Sequence, residues 1–200
     1  MAGSSSVARV VPATELDRAA IVGTLSLAFA DDPVLNWVFP RVAARERCAP
    51  HFFSFLADRL LPDGESWTTE GGAALWASPG HWRETPRQLL GLGRATAGGA
   101  WPHWIRIARG LGGLEARHPR EPHMYLAAIG VRADRRGRGL GSALLAPALA
   151  RCDERGLPAY LESSNPLNVS LYERHGFVAT ERRTLPHGPP VTLMWRPASG

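Results

Sequence analysis

The stretch from residue 131 to residue 145 reads Val131-Arg-Ala-Asp-Arg-Arg-Gly-Arg-Gly-Leu-Gly-Ser-Ala-Leu-Leu145 and is the most informative in the chain. An apolar, strand-like run that begins at Met124 leads into this turn, which is rich in arginine and glycine and opens into a helix. Glycines let backbone N–H groups face a guest without side chains in the way, and the helix N-terminus adds its positive dipole end. We therefore predict an anion site at residues 136–142, with a pyrophosphate as the best-fitting guest.

Alternating strand and helix patterns surround this turn and predict one α/β domain. A helical pattern from Ala13 to Ala30 repeats apolar or small residues on one face, which we expect to face the core: Leu16, Ala20, Gly23 and Leu27. The remaining predicted elements are strands at 8–11, 66–69, 73–77, 124–131, 159–162, 177–184 and 191–195, and helices at 43–61, 139–155 and 168–175.

The composition is that of a globular protein with one domain. Its 200 residues are 44% hydrophobic, yet no apolar run reaches the roughly 18 residues of a membrane span. Residues 1–7 lack the charged and apolar regions of a signal peptide, so we expect a disordered tail there. Cys48 and Cys152 fall far apart in helical patterns, which predicts buried thiols in a cytoplasmic protein without membrane contact.

Charge and residue usage exclude several classes of protein. The chain contains no lysine, so a Walker-type phosphate loop and a Schiff-base enzyme are both excluded. The net charge of +5 permits nucleic-acid binding, but no helical face alternates basic and aromatic residues as a nucleic-acid reader needs, and we predict no such partner. The seven histidines show no metal-ligand spacing, so we also predict no metal.

Two motifs resemble those of a known family. The segment Arg136-Gly-Arg-Gly139-Leu-Gly141 matches the Arg/Gln-x-x-Gly-x-Gly/Ala signature of the GNAT superfamily of acetyl-CoA-dependent acyltransferases. Further along, Asn168-Val-Ser-Leu-Tyr172-Glu-Arg-His-Gly176-Phe177 resembles the second signature of that family. Within the superfamily, the chain is similar to puromycin N-acetyltransferase and related actinobacterial acetyltransferases. The resemblance implies a single GNAT domain over residues 8–196, with a mixed central sheet of about six to seven strands flanked by helices.

The resemblance also implies acetyl-CoA as the acyl donor and coenzyme A as a product. Backbone N–H groups of the turn would bind the pyrophosphate, and its arginines would add charge. The end of the long strand would pair with the pantetheine amides as an extended peptide pairs with a sheet edge. The predicted cofactor-binding residues are Ile129, Gly130, Val131, Arg136, Gly137, Arg138, Gly139, Leu140, Gly141, Ser142 and Asn168.

Several residues are candidates for proton transfer. Tyr172 lies one helical turn after Asn168 on the same face, and we expect its hydroxyl to protonate the leaving thiolate as a general acid. His123, just before the long strand, and Glu162, at the end of the next one, are alternative bases for the incoming ammonium, with Glu121 as a third. The amine would attack the thioester directly, and a strand N–H would meet the developing oxyanion.

The acceptor side is implied by the resemblance alone. It places four residues there: Asp31, Asp32, Trp37 and Phe39. An aromatic wall with a carboxylate suits a cationic, partly apolar amine. A variable helical region at residues 84–117 would complete the site, and further wall candidates are Trp82, Trp101 and Trp104. We predict a small-molecule amine, puromycin-like or derived from an amino acid, as the partner. A homodimer remains open.

Three other functions remain open. A protein or peptide amine could be the acceptor, and a catalytically silent acyl-CoA-binding module would carry the same motifs. A dinucleotide-binding oxidoreductase would explain the glycines and would use Glu162 as a ribose ligand. Against that last function, Ser142 stands where the fingerprint needs its third glycine, and five residues rather than a tight turn separate Val131 from Gly137.

Overall fold

The structure, a computed structural model, describes residues 9–100 and 103–199. The predicted tail at 1–7, the first residue of the predicted first strand and Trp101 lie outside the described residues. The helices are α1 (Arg18–Ala28), α2 (Pro33–Val38), α3 (Val42–Leu60), α4 (Pro86–Ala100), α5 (Trp104–Glu115), α6 (Leu140–Arg155) and α7 (Val169–Glu173). The strands are β1 (Val11–Pro12), β2 (Trp67–Thr69), β3 (Gly72–Ala77), β4 (Met124–Val131), β5 (Ala159–Ser163), β6 (Val178–Thr184) and β7 (Pro190–Arg196). None of the helices within these ranges combines the length and the apolarity that crossing a bilayer demands.

The seven strands form one mixed sheet in the order β1-β2-β3-β4-β5-β7-β6. Neighbouring strands are antiparallel except β4 and β5, which run parallel and are connected through α6. Helices α1, α2 and α3 pack on one face of the sheet, whereas α6 and α7 pack on the other. The predicted α/β class and the predicted mixed sheet flanked by helices are therefore confirmed. Cys48 and Cys152 are buried free thiols, also as predicted.

A β-bulge interrupts β4 at Ala127. Leu75 of β3 pairs with Ala128 and Trp76 pairs with Leu126, so Ala127 has no partner on β3. Residues two apart on a regular strand share a face, and one extra residue reverses that alternation. Leu126 accordingly packs in the core beneath α6 and α7, whereas Ala128 packs in the core beneath α1 and α3.

Immediately after the bulge, β4 and β5 separate. Their parallel ladder runs from the pair Met124 and Ala159 to the pair Leu126 and Leu161. Beyond this point, β4 continues to Val131 beside β3, while β5 continues beside β7. In the chain as described, the edge of β4 that faces β5 is therefore unpaired from residue 127 onward. We call this opening between the two strands the fork.

The core-facing side of α1 differs from the predicted one. Leu16 is 96% exposed and Leu27 is 64% exposed, whereas Ile21 and Leu25 are buried. The physical reason is that residues 15–17 form a 3-10 turn rather than the first turn of the α-helix. Leu16 therefore lies outside α1, and a helical repeat counted from it identifies the side of α1 that faces solvent.

A close approach of α1 to β4 depends on a glycine, and we predict its effect on stability. A Cβ added at Gly130 would lie 2.7 Å from the Cβ of Ala28 and 3.0 Å from Cδ2 of Leu25. Because this interface is closed, Gly130→Ala should lower the free energy of unfolding by about 1–3 kcal/mol in urea denaturation. Gly23→Ala is the control, since a Cβ on that exposed face of α1 meets nothing within 4 Å. It should be neutral or stabilise the protein by up to about 1 kcal/mol. Equal stability of the two variants would contradict this packing.

Candidate active site

The loop between β4 and α6 ends at an uncapped helix N-terminus. Gly137 and Gly139 have positive φ angles of 75° and 76°, and Gly139, as the N-cap of α6, has no side chain with which to cap it. The first helical hydrogen bond runs from the N–H of Ala143 to the carbonyl of Gly139 at 3.0 Å, so the N–H groups of residues 140–142 have no acceptor in the helix. A Cβ at either glycine would meet no protein atom within 4 Å. The space in front of these N–H groups is therefore open to an anion.

Of the arginines in this loop, Arg138 carries an uncompensated charge. Arg132 pairs with Asp134 at 3.0 Å, and Arg135 pairs with Glu70 of the β2–β3 turn. Arg138 is exposed and forms no hydrogen bond or ion pair with any residue in the ranges 9–100 and 103–199. Its guanidinium is thus available to an anion at the N-terminus of α6.

Arg136 bonds to the backbone of two other elements, and its role toward the cofactor stays a prediction. Its Nε donates to the carbonyl of Val131 at 3.2 Å, and its Nη2 donates to the carbonyl of Ala28 at 3.1 Å. These two bonds attach the loop to the end of β4 and to the end of α1. Arg136 therefore positions the loop through its Nε and one N–H of Nη2.

The helix that carries Tyr172, α7, contacts the N-terminus of α6. A Cβ at Gly141 would lie 3.1 Å from Cδ2 of Leu171, so the N-terminus of α6 touches α7 one residue before Tyr172. Burial, and then the nearby carboxylate of Asp32, raise the pKa of Tyr172 above its ordinary value. The phenol is therefore protonated at neutral pH and can act as a proton donor.

Asp32 connects α2 to the end of β5. One carboxylate oxygen caps α2 by accepting from the N–H groups of Val34 and Leu35 at 2.9 Å each, and the other accepts from the hydroxyl of Ser164. Burial raises the pKa of Asp32, and the bonds from Ser164 and α2 oppose that rise. Asp31, in contrast, is exposed. Of this predicted pair, Asp32 therefore contacts the end of β5, and the role of Asp31 on the acceptor side stays a prediction.

Asn168 lies at the junction between a 3-10 turn and α7. The turn spans residues 166–168, and its capping side chain is that of Asn165, which accepts from the N–H of Leu167 at 3.0 Å. Over the described ranges, the amide of Asn168 forms no hydrogen bond and is exposed. This amide is therefore free to bind a ligand, as the motif predicts.

His123 is enclosed by protein and does not face a ligand site. Only 1% of it is exposed, its Nδ1–H donates to the carbonyl of Glu121 at 2.7 Å, and its Nε2 lies 3.0 Å from Nε2 of His118. Burial is the main cause that lowers the pKa of His123, so the ring is neutral at pH 7. Because Nδ1 carries the proton, Nε2 accepts from the Nε2–H of His118. The prediction of His123 as the direct base is corrected, since both of its ring nitrogens are occupied.

His118 and Glu162 form the other half of the same cluster. Nδ1 of His118 lies 3.8 Å from Oε1 of Glu162, and the hydroxyl of Tyr160 donates to that oxygen at 3.2 Å. The ring of Trp82 stacks on His118 with 3.6 Å between centroids. Ser164 lies two residues after Glu162, so this cluster and the Asp32 contacts meet at the end of β5. Sequence reasoning missed His118, because no motif or periodicity marks it.

Trp37 and Phe39 are core residues, contrary to the prediction that they line the acceptor site. Trp37 is 6% exposed, and its Nε1–H donates to the carbonyl of Pro186 at 3.0 Å. Phe39 is 3% exposed, and a Cβ added at Gly99 would lie 2.9 Å from its ring. Protein neighbours therefore cover both rings. Among the other predicted wall residues, Trp82 is buried in the histidine cluster and Trp104 is exposed.

An open helix N-terminus, an unpaired strand edge and a buried, protonated tyrosine together define a site of the kind that binds an acyl-CoA. Residues 61–177 match the acetyltransferase (GNAT) family, whose members use acetyl-CoA. That match covers more than half of the 200 residues, and the chain belongs to this family. The family predicted from the two motifs is thereby confirmed.

The chain is similar to several known acetyltransferases. A mycothiol acetyltransferase of Clavibacter sepedonicus is 30% identical over 141 residues, which are 62% of this chain and 41% of that protein. An uncharacterized N-acetyltransferase of Schizosaccharomyces pombe is 44% identical over 54 residues, 27% of this chain and 22% of that protein. The chain thus spans less than half the length of these curated relatives. The crystal structure described as histone acetyltransferase HPA2 and related acetyltransferase from Corynebacterium glutamicum has a TM-score of 0.70 and 28% identity, covering 96% of this chain and 97% of that one.

The two ends of α6 provide a matched test of the anion site. Gly139 precedes the helix and Gly156 follows it, both have positive φ, and a Cβ at either meets nothing within 4 Å. An alanine at each position should cost about 1 kcal/mol or more of stability through backbone strain. Only Gly139→Ala should also weaken acetyl-CoA binding, by about ten-fold or more, because its methyl group would occupy the anion's space. Calorimetric titration and urea denaturation measure the two effects. Equal affinities for the two variants would show that the anion does not bind here.

Proposed function

We propose that the protein is an N-acetyltransferase that transfers the acetyl group of acetyl-CoA to the primary amine of a small molecule within a ternary complex. The observation that carries the proposal is the fork: an unpaired strand edge with an uncapped helix N-terminus at its mouth, which α7, the helix that carries Tyr172, touches. The same loop without the fork would hold a phosphate, but it would offer no edge along which an extended thioester arm could lie.

The residues around the fork suit the parts of acetyl-CoA, which would supply the acetyl thioester. The free N–H groups at residues 140–142 and the unpaired Arg138 would hold the pyrophosphate. The open edge of β4 at residues 127–131 would pair with the pantetheine amides, as a peptide adds to a sheet. The free amide of Asn168 would hydrogen-bond the same arm. An N–H group near the bulge at Ala127 would stabilise negative charge on the thioester carbonyl oxygen.

Tyr172 would act as the general acid. Its pKa is raised mainly by burial, so the phenol keeps its proton at neutral pH and can give it to a leaving thiolate. The neighbouring Asp32 carboxylate, held by Ser164 and the N-terminus of α2, disfavours ionisation of the phenol further. This arrangement favours a donor over a nucleophile, since a tyrosinate is costly at this position.

Glu162 would receive the proton of the acceptor ammonium. Its carboxylate is 18% exposed and lies inside the fold at the end of β5. His118 lies next to Glu162. Because Nε2 of His118 donates to His123, the unprotonated nitrogen of His118 is Nδ1, which faces Glu162. A proton taken up by Glu162 therefore has a second acceptor close by. We assign the direct role to Glu162 and a supporting role to the His118–His123 pair.

The residues around the proposed base, Glu162, are buried, and this favours a small-molecule acceptor over a protein amine. Tyr160, His118 and His123 are all buried around Glu162, so the amine has to reach into the fold. Several of the curated relatives are named mycothiol acetyltransferase, which also favours a small acceptor.

The proposal is tested by measuring thiol release from acetyl-CoA with a panel of amines. The panel contains puromycin, polyamines, aminoglycosides, amino acids and a protein-tail peptide. We expect release with one small-molecule class and none with the peptide. Release with the peptide alone would identify a protein amine as the acceptor. Tight acetyl-CoA binding without release for any amine would indicate a silent acyl-CoA-binding module.

Replacement of the acid should affect the chemical step alone. Tyr172→Phe should lower kcat by about 10²-fold or more while the Kd for acetyl-CoA stays nearly constant, because only the proton donor is lost. The ring that packs against Phe177 remains, with 6.1 Å between centroids, so the free energy of unfolding should also be retained. Steady-state kinetics and calorimetry provide both values. An unchanged kcat would remove Tyr172 from the mechanism.

Replacement of the base should give a defect that depends on pH. Glu162→Gln should lower kcat/KM by about 10²-fold at neutral pH, where the acceptor arrives as an ammonium. The loss should shrink as the pH approaches the pKa of the amine, because a neutral amine needs no base. The measurement is a pH profile of kcat/KM for wild type and variant with one acceptor. A loss of the same size at every pH would rule out Glu162 as the base.

A further inference from the structure

A cavity of about 350 Å³ lies against the sheet at β5, β7 and β6. Tyr160 of β5 lines it and pairs with Trp195 of β7, which lines it too. Leu193, two residues before Trp195, also lines the cavity and pairs with Glu162 of β5. Directly opposed residues of neighbouring strands share a face of the sheet, and so do residues two apart on one strand. These four residues therefore lie together on one face, and three of them line the cavity.

The cavity lies beside the fork. Leu161 is the last residue of β5 that pairs with β4, so Glu162 is the first one beyond the ladder. Tyr160 precedes Leu161 and shares the face of Glu162, since its hydroxyl donates to Oε1 of Glu162 at 3.2 Å. A strand advances about 3.3 Å per residue, so Tyr160 lies about 7 Å along β5 from the start of the fork. A small molecule in the cavity is therefore close to the open edge of β4.

Tyr160 connects the cavity to Glu162. Its hydroxyl proton lies in the bond to Glu162, and a phenol oxygen keeps lone pairs that can accept a second hydrogen bond. No residue within 9–100 or 103–199 donates to that oxygen. Burial, and after it the carboxylates of Glu162 and Glu181, raise the pKa of Tyr160, and Glu181 is itself a lining residue of the cavity. The phenol therefore stays protonated while its oxygen is available to a donor in the cavity.

The walls of the cavity suit a cationic amine. Glu121 and Glu181 contribute carboxylates, and Trp195 contributes an aromatic ring. Glu181 is compensated, because it pairs with Arg183 at 2.9 Å and lies 3.9 Å from Arg117. Glu121 forms no ion pair with any residue that the structure describes. A free carboxylate and the face of an indole both attract an ammonium group.

We propose that the acceptor amine binds in this cavity and that Tyr160 carries its proton to Glu162. The inference rests on the proposed function, because it assigns the acceptor pocket and the proton path of the same site. One N–H bond of the ammonium breaks as its hydrogen bonds to the phenol oxygen, and the phenol's own proton moves to Oε1 of Glu162. The ammonium becomes an amine with a free electron pair, and the carboxylate becomes a carboxylic acid. The phenol is unchanged, so no costly tyrosinate forms.

The two proton transfers of the reaction then occur on opposite faces of the sheet. Tyr160 packs in the core beside α2 and α5, whereas Tyr172 packs in the core beneath α6 and α7. The amine would approach the thioester from one side of the fork, and the leaving thiolate would receive its proton on the other. The two tyrosines therefore have separate roles, and their variants should differ in the dependence of activity on pH.

Tyr160→Phe removes only the hydroxyl through which the proton would pass. It should lower kcat/KM by about ten-fold or more at neutral pH, and the loss should shrink as the pH approaches the pKa of the amine. Tyr125→Phe is the control: Tyr125 stacks beside Tyr160 with 6.0 Å between centroids, but it is not a lining residue of the cavity and does not bond to Glu162. It should keep the wild-type pH profile. Equal profiles for the two variants would overturn the proposal.

A double variant and a binding measurement test whether Tyr160 is in the proton path. Tyr160→Phe combined with Glu162→Gln should be no slower than Glu162→Gln alone, because one break already interrupts the path. Losses that multiply would overturn the relay. Tyr160→Phe should also bind the amine about five-fold more weakly in calorimetry on protein saturated with coenzyme A, since a contact with the ammonium is lost. Unchanged affinity would make Tyr160 a residue that only positions Glu162.

A substitution on β6 tests the cavity without touching the proton path. Thr180 lines the cavity, and a large side chain there would fill it. Thr180→Trp should raise the KM for the amine by about ten-fold or more and leave the Kd for acetyl-CoA unchanged. Thr184→Trp is the control, since Thr184 is exposed on the same strand but is not a lining residue. Equal KM values for the two variants would show that the amine binds elsewhere. This comparison also decides if Tyr160→Phe does not fold.

The outcomes separate this inference from the proposed function. Each assay uses the amine of the panel that releases thiol fastest with the wild-type protein. Thiol release that neither Tyr160→Phe nor Thr180→Trp affects would retain the acetyltransferase activity and reject the cavity and the relay. If no amine releases thiol, the same amines are titrated by calorimetry. Binding that Thr180→Trp abolishes would then retain the cavity as an amine site and reject the activity, and no binding would reject both.

Discussion

The separation of β4 from β5 after Leu126 is the constraint on which the rest of the site depends. A single extra residue at Ala127 reverses the alternation of β4, so Ala128 and Gly130 face α1 where they would otherwise face α6. Gly130 then permits α1 to approach β4 closely, and β4 continues beside β3. A flat, fully paired sheet of the same strands would bury the backbone groups that the proposed thioester arm needs.

The loop after β4 combines structural and binding roles in adjacent residues. Arg135 and Arg136 use their guanidinium groups within the protein, on Glu70 and on two backbone carbonyls. Across residues 9–100 and 103–199, Arg138 and the N–H groups of residues 140–142 have no partner. Because the tethered arginines hold the loop in place, the free N–H groups need no ordering when an anion binds. Preorganisation of this kind reduces the entropic cost of binding and makes the electrostatic contribution larger.

Local signals in the sequence predicted the sheet, most element boundaries and the anion site, whereas contacts between distant residues were not predictable. Gly137 and Gly139 predict the positive φ angles that the backbone has there. Gly176 followed by Phe177 predicts the end of α7. Trp37 was misassigned because its burial depends on Pro186, which is remote in sequence. His118 was missed for the same reason: its role depends on partners on other elements, and it lies in no motif.

Hydrogen–deuterium exchange with and without coenzyme A tests the central claim most directly, since it reads the backbone groups of the fork themselves. If the ligand lies in the fork, exchange should slow in residues 127–131 and 139–142 together, while β6 at residues 178–184, on the far edge of the sheet, stays unchanged. Protection at the helix N-terminus alone would mean that phosphate binds but the strand edge is unused. Protection confined to other elements, with both segments unaffected, would contradict the fork as the site of the acyl donor.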